Sequence, residues 1–240
     1  MPPLLLLRSC PPVCSSEWPG GQERDAPELL DAAELARADA MLPGTRAVFL
    51  TGRLAQRRFA AGLLDVPASD LTACYSCPRC GTGPGISHGR PGYTLKGSAG
   101  AGAAVPLLLS LSRAAGWTLL AAVIDPGPGL RLGIDVEDPA RTDFDGFDAV
   151  ALAPAEQQGL RGLSGRVLLR ERARLWTRKE AWLKMTGDGL RTAPETLDVL
   201  HDPGIRQLIR DLAPAETGLP ADFGAAAALS FIPWLGKLSG

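Results

Sequence analysis

The stretch "RLGIDVEDPAR", Arg131 to Arg141, decides how the rest of the chain is read. Leu132, Ile134 and Val136 alternate with Gly133, Asp135 and Glu137, the period of a strand, so both carboxylates share one face. Adjacent anions repel, and burial raises the cost. Two readings are open at this point. The face is wet and the acids are solvated, as charges on a sheet surface mostly are, or a cation lies between them.

The residues that bear on this choice lie downstream, in "LWTRKEAWLKMTGDGL". The pattern predicts a long helix over roughly 166–186, stopped by Gly187 as its C-cap. Trp176, Glu180 and Lys184 fall at i, i+4 and i+8 and share a helix face, with Lys179 on the flank. An ordinary surface Glu–Lys pair of this spacing stabilises a helix by only about 0.2–0.5 kcal/mol. Two features argue for more. Only four of the 25 basic residues are lysines, and two of those four fall here. A tryptophan on the same face as Glu180 predicts partial burial. A lysine also offers a transferable proton, which an arginine does not. Asp135, Glu137 and Glu180 together supply three hard oxygen donors, a set suited to Mg²⁺, which binds one or two carboxylates along with phosphate oxygens and water. Lysines then neutralise phosphate. The parts are those of phosphoryl-group chemistry on a nucleotide-like substrate.

Composition bounds the rest. With 240 residues, 45% of them apolar, the chain can bury the core of one large domain or two small ones. A net charge of −1 excludes a general polyanion binder. No apolar run approaches the ~20 residues of a membrane span. The opening "MPPLLLLRSC" lacks a basic n-region, and Leu4–Leu7 reads as a first strand. Five cysteines without an export signal predict a reducing compartment, the cytoplasm by default.

Residues 27–64 read as helical, with Pro43 and Gly44 ending a first helix and "TRAVFLTGRLAQRRFAAGLL" forming a second. Arg46, Arg53, Arg57 and Arg58 make its basic side, either a solvated face or an anion site. Residues 74–106 read as loop. "LLLSLS" and "WTLLAAVID" read as strands around a turn at "RAAG", and "DPGPG", Asp125–Gly129, as a boundary. Helix is expected from about Phe144, and short strands near Thr196–Leu200 and Ala225–Phe231. "WTLLAAVI" and "AAAALSFI" could be equivalent strands of two halves. The mixed order of elements predicts an α+β fold.

Other motifs carry less. "CYSCPRC" spaces Cys74, Cys77 and Cys80 by three residues, with His88 downstream, a Cys₃His zinc chemistry. Pro84 and three glycines separate Cys80 from His88, so free thiols and no structural zinc are expected. "GSAGAG", Gly97–Gly102, lacks the Lys-Ser/Thr of a P-loop and reads as a flexible link. Two histidines, His88 and His201, support no Ser-His-Asp triad. No basic stripe with interleaved aromatics points to nucleic acid.

"GIDVE" followed some forty residues on by "WTRKEAWLK" resembles the 4′-phosphopantetheinyl transferases, specifically the larger, surfactin-synthetase-activating (Sfp-like) class. "TRAVFLTGRLAQRR", "CPRCG…HGRP", "SLSRAAGWTLLAAV", "LAPAE" and "GDGL" match in order, so the resemblance spans roughly 28–232. It implies a fold of two similar α/β halves forming a pseudo-dimer, residues 1–129 and 130–240, with coenzyme A in the cleft between them. It implies a monomer that moves 4′-phosphopantetheine from coenzyme A to a serine of an apo acyl or peptidyl carrier protein, with Mg²⁺ or Mn²⁺, in polyketide or nonribosomal peptide biosynthesis. The metal ligands implied are Asp135, Glu137 and Glu180. Glu156 of "LAPAE" matches a base or water-orienting acid, with Glu180 the other candidate. Lys184 matches the lysine that meets the pyrophosphate and protonates the leaving group. Lys179, Arg90, Ser112 and Arg113 match coenzyme A contacts, and Arg53 and Arg58 are further phosphate contacts. Position 113 departs from the family, which has His there, but an arginine's fork holds phosphate well. The rival reading is a catalytically weak relative that only binds coenzyme A or a carrier.

Overall fold

A computed structural model describes residues 3–12, 25–96 and 104–231. The segment read as a flexible link, Gly97–Gly102, lies outside the described residues. The chain divides into two compact units, one running to Asp125 and including Thr217–Leu219, the other Pro126–Glu216 with the residues from Pro220 on.

The first unit opens with β1 (Leu6–Cys10), two residues later than the leucine run suggested. The predicted helical region is three helices, α1 (Ala26–Leu29), α2 (Ala32–Asp39) and α3 (Pro43–Leu64). Pro43 and Gly44 begin α3 and do not terminate its predecessor. Proline fits the first helical turn, where its missing N–H has no intrahelical partner to lose. β2 (Leu71–Ala73) precedes the region expected to be loop, which itself contains three three-residue strands: β3 (Tyr75–Cys77), β4 (Gly81–Gly83) and β5 (Tyr93–Leu95). β2 pairs with β5, and β3 with β4. Strands this short carry too little alternation to be read from sequence.

β6 (Leu107–Ala114) and β7 (Trp117–Ile124) form the expected hairpin. Its turn is Ala115-Gly116, at φ 46° and 82°, the left-handed pair that matches the twist of a tight hairpin. β7 is the centre of an antiparallel sheet ordered β1-β7-β6. Phe59 of α3, with Leu109, Leu120, Tyr75 and Tyr93, anchors the core beneath it.

In the second unit, β8 (Leu130–Glu137) pairs antiparallel with β10 (Gly224–Phe231), and β10 with β9 (Ile209–Asp211). The helix expected from Phe144 is two short ones, α4 (Phe147–Ala151) and α5 (Pro154–Gly159), separated at Leu152-Ala153. The proline at 154 disfavours helical geometry in the residue before it. Thr196–Leu200 is not a strand. It runs out of a 3₁₀ turn, and β9 takes the sheet position. α6 (Gly165–Thr186) is the long helix, ended by Gly187 at φ 83°. Two short helices, α7 (Pro203–Arg206) and α8 (Pro214–Thr217), flank β9 in sequence.

α6 lies directly against β8 and β10 because Gly133, Gly224, Ala226 and Ala228 present little or no side chain to it. A Cβ on Gly133 would lie 2.0 Å from the Ala181 carbonyl oxygen and 2.5 Å from the Met185 nitrogen. One on Gly224 would lie 2.9 Å from the Ala173 backbone. Ala226 and Ala228 of β10 pack with Ala181 and Met185. Such small residues allow backbone-to-backbone approach, which large side chains would prevent. Among the described residues, no helix is long and apolar enough to cross a membrane.

Candidate functional site

The close approach at Gly133 orients the acidic pair. Gly133 points its missing side chain at α6, and Asp135 and Glu137 follow at the strand period, so both carboxylates lie on the helix side of β8. From α6 come Glu180 and Lys184, one turn apart. The Lys184 ammonium meets Asp135 Oδ1 at 2.6 Å. Asp135 is buried. Burial, then the neighbouring Asp135 charge, raise the Glu137 carboxyl from 4.5 to about 7. Burial and Asp135 also raise Glu180, while Lys184 opposes the shift. Glu137 also meets Arg141 Nε at 3.6 Å, so the four residues form one electrostatic unit in which three carboxylates face one lysine and one exposed arginine.

This donor set is chemically suited to a hard divalent cation: all oxygen, all on two rigid elements, and short of positive charge. The carboxylate atoms are not drawn to coordinating distance. Among the described residues, the group whose ligand atoms all lie within 4.8 Å is Cys77, Cys80 and His88.

Glu156 and Lys179 stand apart from the acidic unit. Glu156 is fully buried at the third position of α5. Its carboxylate accepts from the Ala153 and Val199 N–H groups, each at 2.8 Å, and pairs with Lys179 Nζ at 2.6 Å. Lys179, also fully buried, donates to the carbonyls of Pro194 and Leu197. Burial lowers its pKa, against the pull of Glu156. The pair ties α5, α6 and the 194–199 segment together. Glu156 also lines a cavity with Leu160, Leu163, Val167, Glu171 and Arg174. The ion pair gives both residues a structural place, beside the base and the coenzyme A contact that the resemblance implied.

In the first unit, Arg37 and Arg53 converge on the Ser87 carbonyl, at 3.1 and 2.8 Å. Arg53 also stacks over Phe49 and Tyr75, at 4.9 and 4.2 Å from the ring centres. Arg113, on β6, donates to the Val48 carbonyl at 2.7 Å. Its guanidinium lies against Gly52 of α3, where a Cβ would meet Nη1 at 2.8 Å. Burial, then the charges of Arg53 and Arg37, lower its pKa. The three guanidiniums are close enough to repel one another, and Arg53 Nε also lies 3.9 Å from Glu34.

Arg57 does not belong to that cluster, contrary to the reading of a basic helix side. It is buried, bonded to the Leu71 carbonyl, Asp31 and Glu34. Arg58 pairs with Asp25, and Arg46 with Asp39. Ser112 is buried on β6, and Arg90 is bridged through its backbone to Ser76. Arg37 had no place in the sequence reading. It lies in α2, 16 residues from Arg53 and 76 from Arg113, and only tertiary folding joins the three.

Residues 131–226 match the family model of the 4′-phosphopantetheinyl transferase superfamily. The matched segment begins in β8 and ends in β10, so it contains Asp135, Glu137, Glu180 and Lys184 and leaves the first unit's arginines outside. No curated protein matches the chain.

Proposed function

We propose that the protein transfers 4′-phosphopantetheine from coenzyme A to the serine of an acyl or peptidyl carrier protein, releasing adenosine 3′,5′-bisphosphate, as the larger, surfactin-synthetase-activating class does. The observation that carries this reading is the Asp135–Glu137–Glu180–Lys184 unit inside the matched segment. Within it, the chain is two similar halves, 1–129 and 130–240. Each unit's three-stranded antiparallel sheet and 22-residue helix support that likeness.

Asp135, Glu137 and Glu180 would hold Mg²⁺ or Mn²⁺. When bound, the ion offsets charge on the pyrophosphate and helps to align it. The reaction forms a bond between the serine oxygen and the pantetheine-side phosphorus, and breaks the bond from that phosphorus to the bridging oxygen. The serine proton passes to a carboxylate, directly or through water. Beside Glu156, the other candidate, we assign this role to Glu180. Its raised pKa makes it a better proton acceptor than an exposed carboxylate. Lys184, partly exposed, is placed to leave Asp135 for the leaving phosphate and to neutralise or protonate it. Arg37, Arg53 and Arg113 supply phosphate contacts for the adenosine side, and Arg90 is a further candidate. No protein nucleophile is needed, since positioning and electrostatics carry phosphoryl transfer.

The test is incubation with coenzyme A, Mg²⁺ and apo carrier domains of both types. A mass gain of one phosphopantetheine on the carrier is expected. Binding of coenzyme A without any mass gain would instead identify a binding relative.

A further inference from the structure

The cysteines around residue 80 have no part in the transfer just described, yet the fold gathers them. In the β3–β4 hairpin, Cys77 pairs with Gly81, leaving Pro78, Arg79 and Cys80 as a tight loop. Gly81 leaves that loop at φ 84°, a conformation that favours glycine. The backbone N–H groups of Arg79 and Cys80 point at the Cys77 sulfur and favour its thiolate.

The chain then returns His88 to the same point. Ser76 N donates to Arg90 O at 3.0 Å, and Arg90 N to Ser76 O at 2.8 Å. Gly89, at φ 87°, makes the approach possible, since a Cβ there would lie 2.3 Å from the Ser76 oxygen. Cys80 Sγ and His88 Nε2 are 3.4 Å apart. The ligand atoms of Cys77, Cys80 and His88 all lie within 4.8 Å of one another. Tetrahedral zinc, with bonds of about 2.3 Å to sulfur and about 2.0 Å to nitrogen, places ligand atoms roughly 3.5–3.8 Å apart. The cluster is already close to that size without an ion.

We propose that Cys77, Cys80 and His88 form a zinc site, with a water or small anion in the fourth position. Two thiolates and a neutral imidazole cancel the ion's charge, and sulfur with imidazole selects zinc over the hard cations that carboxylates prefer. Binding releases the thiol protons to solvent. Cys74 does not join the group. The long Cys80–His88 spacing, which argued against zinc in the sequence, is closed by the Ser76–Arg90 bridge and not by a local turn. The ion would fasten the β3–β4 hairpin to the segment that ends in Arg90.

The experiment uses the full chain, purified without chelator. Elemental analysis should find close to one zinc per chain, lost in Cys80→Ser. Replacing the metal in the wild-type chain with Co²⁺ should give thiolate-to-cobalt charge-transfer absorption and the visible bands of a tetrahedral ion. This readout needs no variant to fold. Zinc that stays far below one equivalent after incubation with Zn²⁺ and desalting would overturn the proposal. So would a Co²⁺ spectrum without a thiolate band. None of these readouts depends on phosphopantetheine transfer, so either reading can fail alone.

Discussion

Arg113 and Glu137 show how single side chains carry the account. Arg113 lies beside Arg53 and Arg37, whose charges add to burial in weakening its hold on its own proton. If it meets the 3′-phosphate of coenzyme A, Arg113→Ala should raise KM for coenzyme A by roughly ten- to a hundred-fold, the value of one charge-assisted hydrogen bond, and change kcat less. Dephospho-coenzyme A should show little penalty. An equal penalty with both substrates would place Arg113 elsewhere. Glu137 titrates in a range that makes its burial measurable. Its carboxyl stands near 7 in the fold against 4.5 free, so the native state binds the proton more tightly. The stability this group contributes is full below about pH 4.5 and lost as pH rises through about 7. With chelator present, urea unfolding of the wild type and of Glu137→Gln should diverge over that window, the wild type falling behind at the higher pH. A pH-independent difference would mean that Glu137 is solvated.

At the scale of elements, the β8–α6 contact sets the distance between the acids and Lys184. Gly133→Ala forces a Cβ into the Ala181 carbonyl and the Met185 nitrogen. The helix must shift, at a cost of about 1–3 kcal/mol for overpacking, and transfer should fall more steeply than stability does. Unchanged activity in this variant would mean that the register of α6 on β8 does not matter. The Glu156–Lys179 pair makes the opposite prediction. Removing one partner of a buried ion pair costs about 3–5 kcal/mol, so Glu156→Ala should show its main effect in urea unfolding. A variant as stable as the wild type but devoid of transfer would assign the base role to Glu156. The two cases also show what a sequence discloses. Glycine at 133, the alternation of β8, the spacing of Glu180 and Lys184 and the Gly187 stop are local patterns, and each was readable. Glu156 and Lys179 are 23 residues apart, and only packing reveals that they consume each other. The short strands around Cys77 and the burial of Arg57 were hidden for the same reason. Three-residue strands have no periodicity, and a helix pattern does not say which arginine faces a carboxylate.

For the whole molecule, the acidic unit lies in the second unit, inside the segment that matches the family model. The central claim is that Asp135, Glu137, Glu180 and Lys184 act together in phosphopantetheine transfer. It is tested most directly by the intact mass of an apo carrier after incubation with coenzyme A and Mg²⁺, wild type beside Asp135→Ala, with the fold of each confirmed by circular dichroism. The wild type should add one phosphopantetheine to the carrier. Asp135→Ala should be slowed by at least the roughly 10–100-fold that even an outer partner of a metal site is worth. No mass gain with the folded wild type on any acyl or peptidyl carrier, or equal rates for the two proteins, would contradict the account.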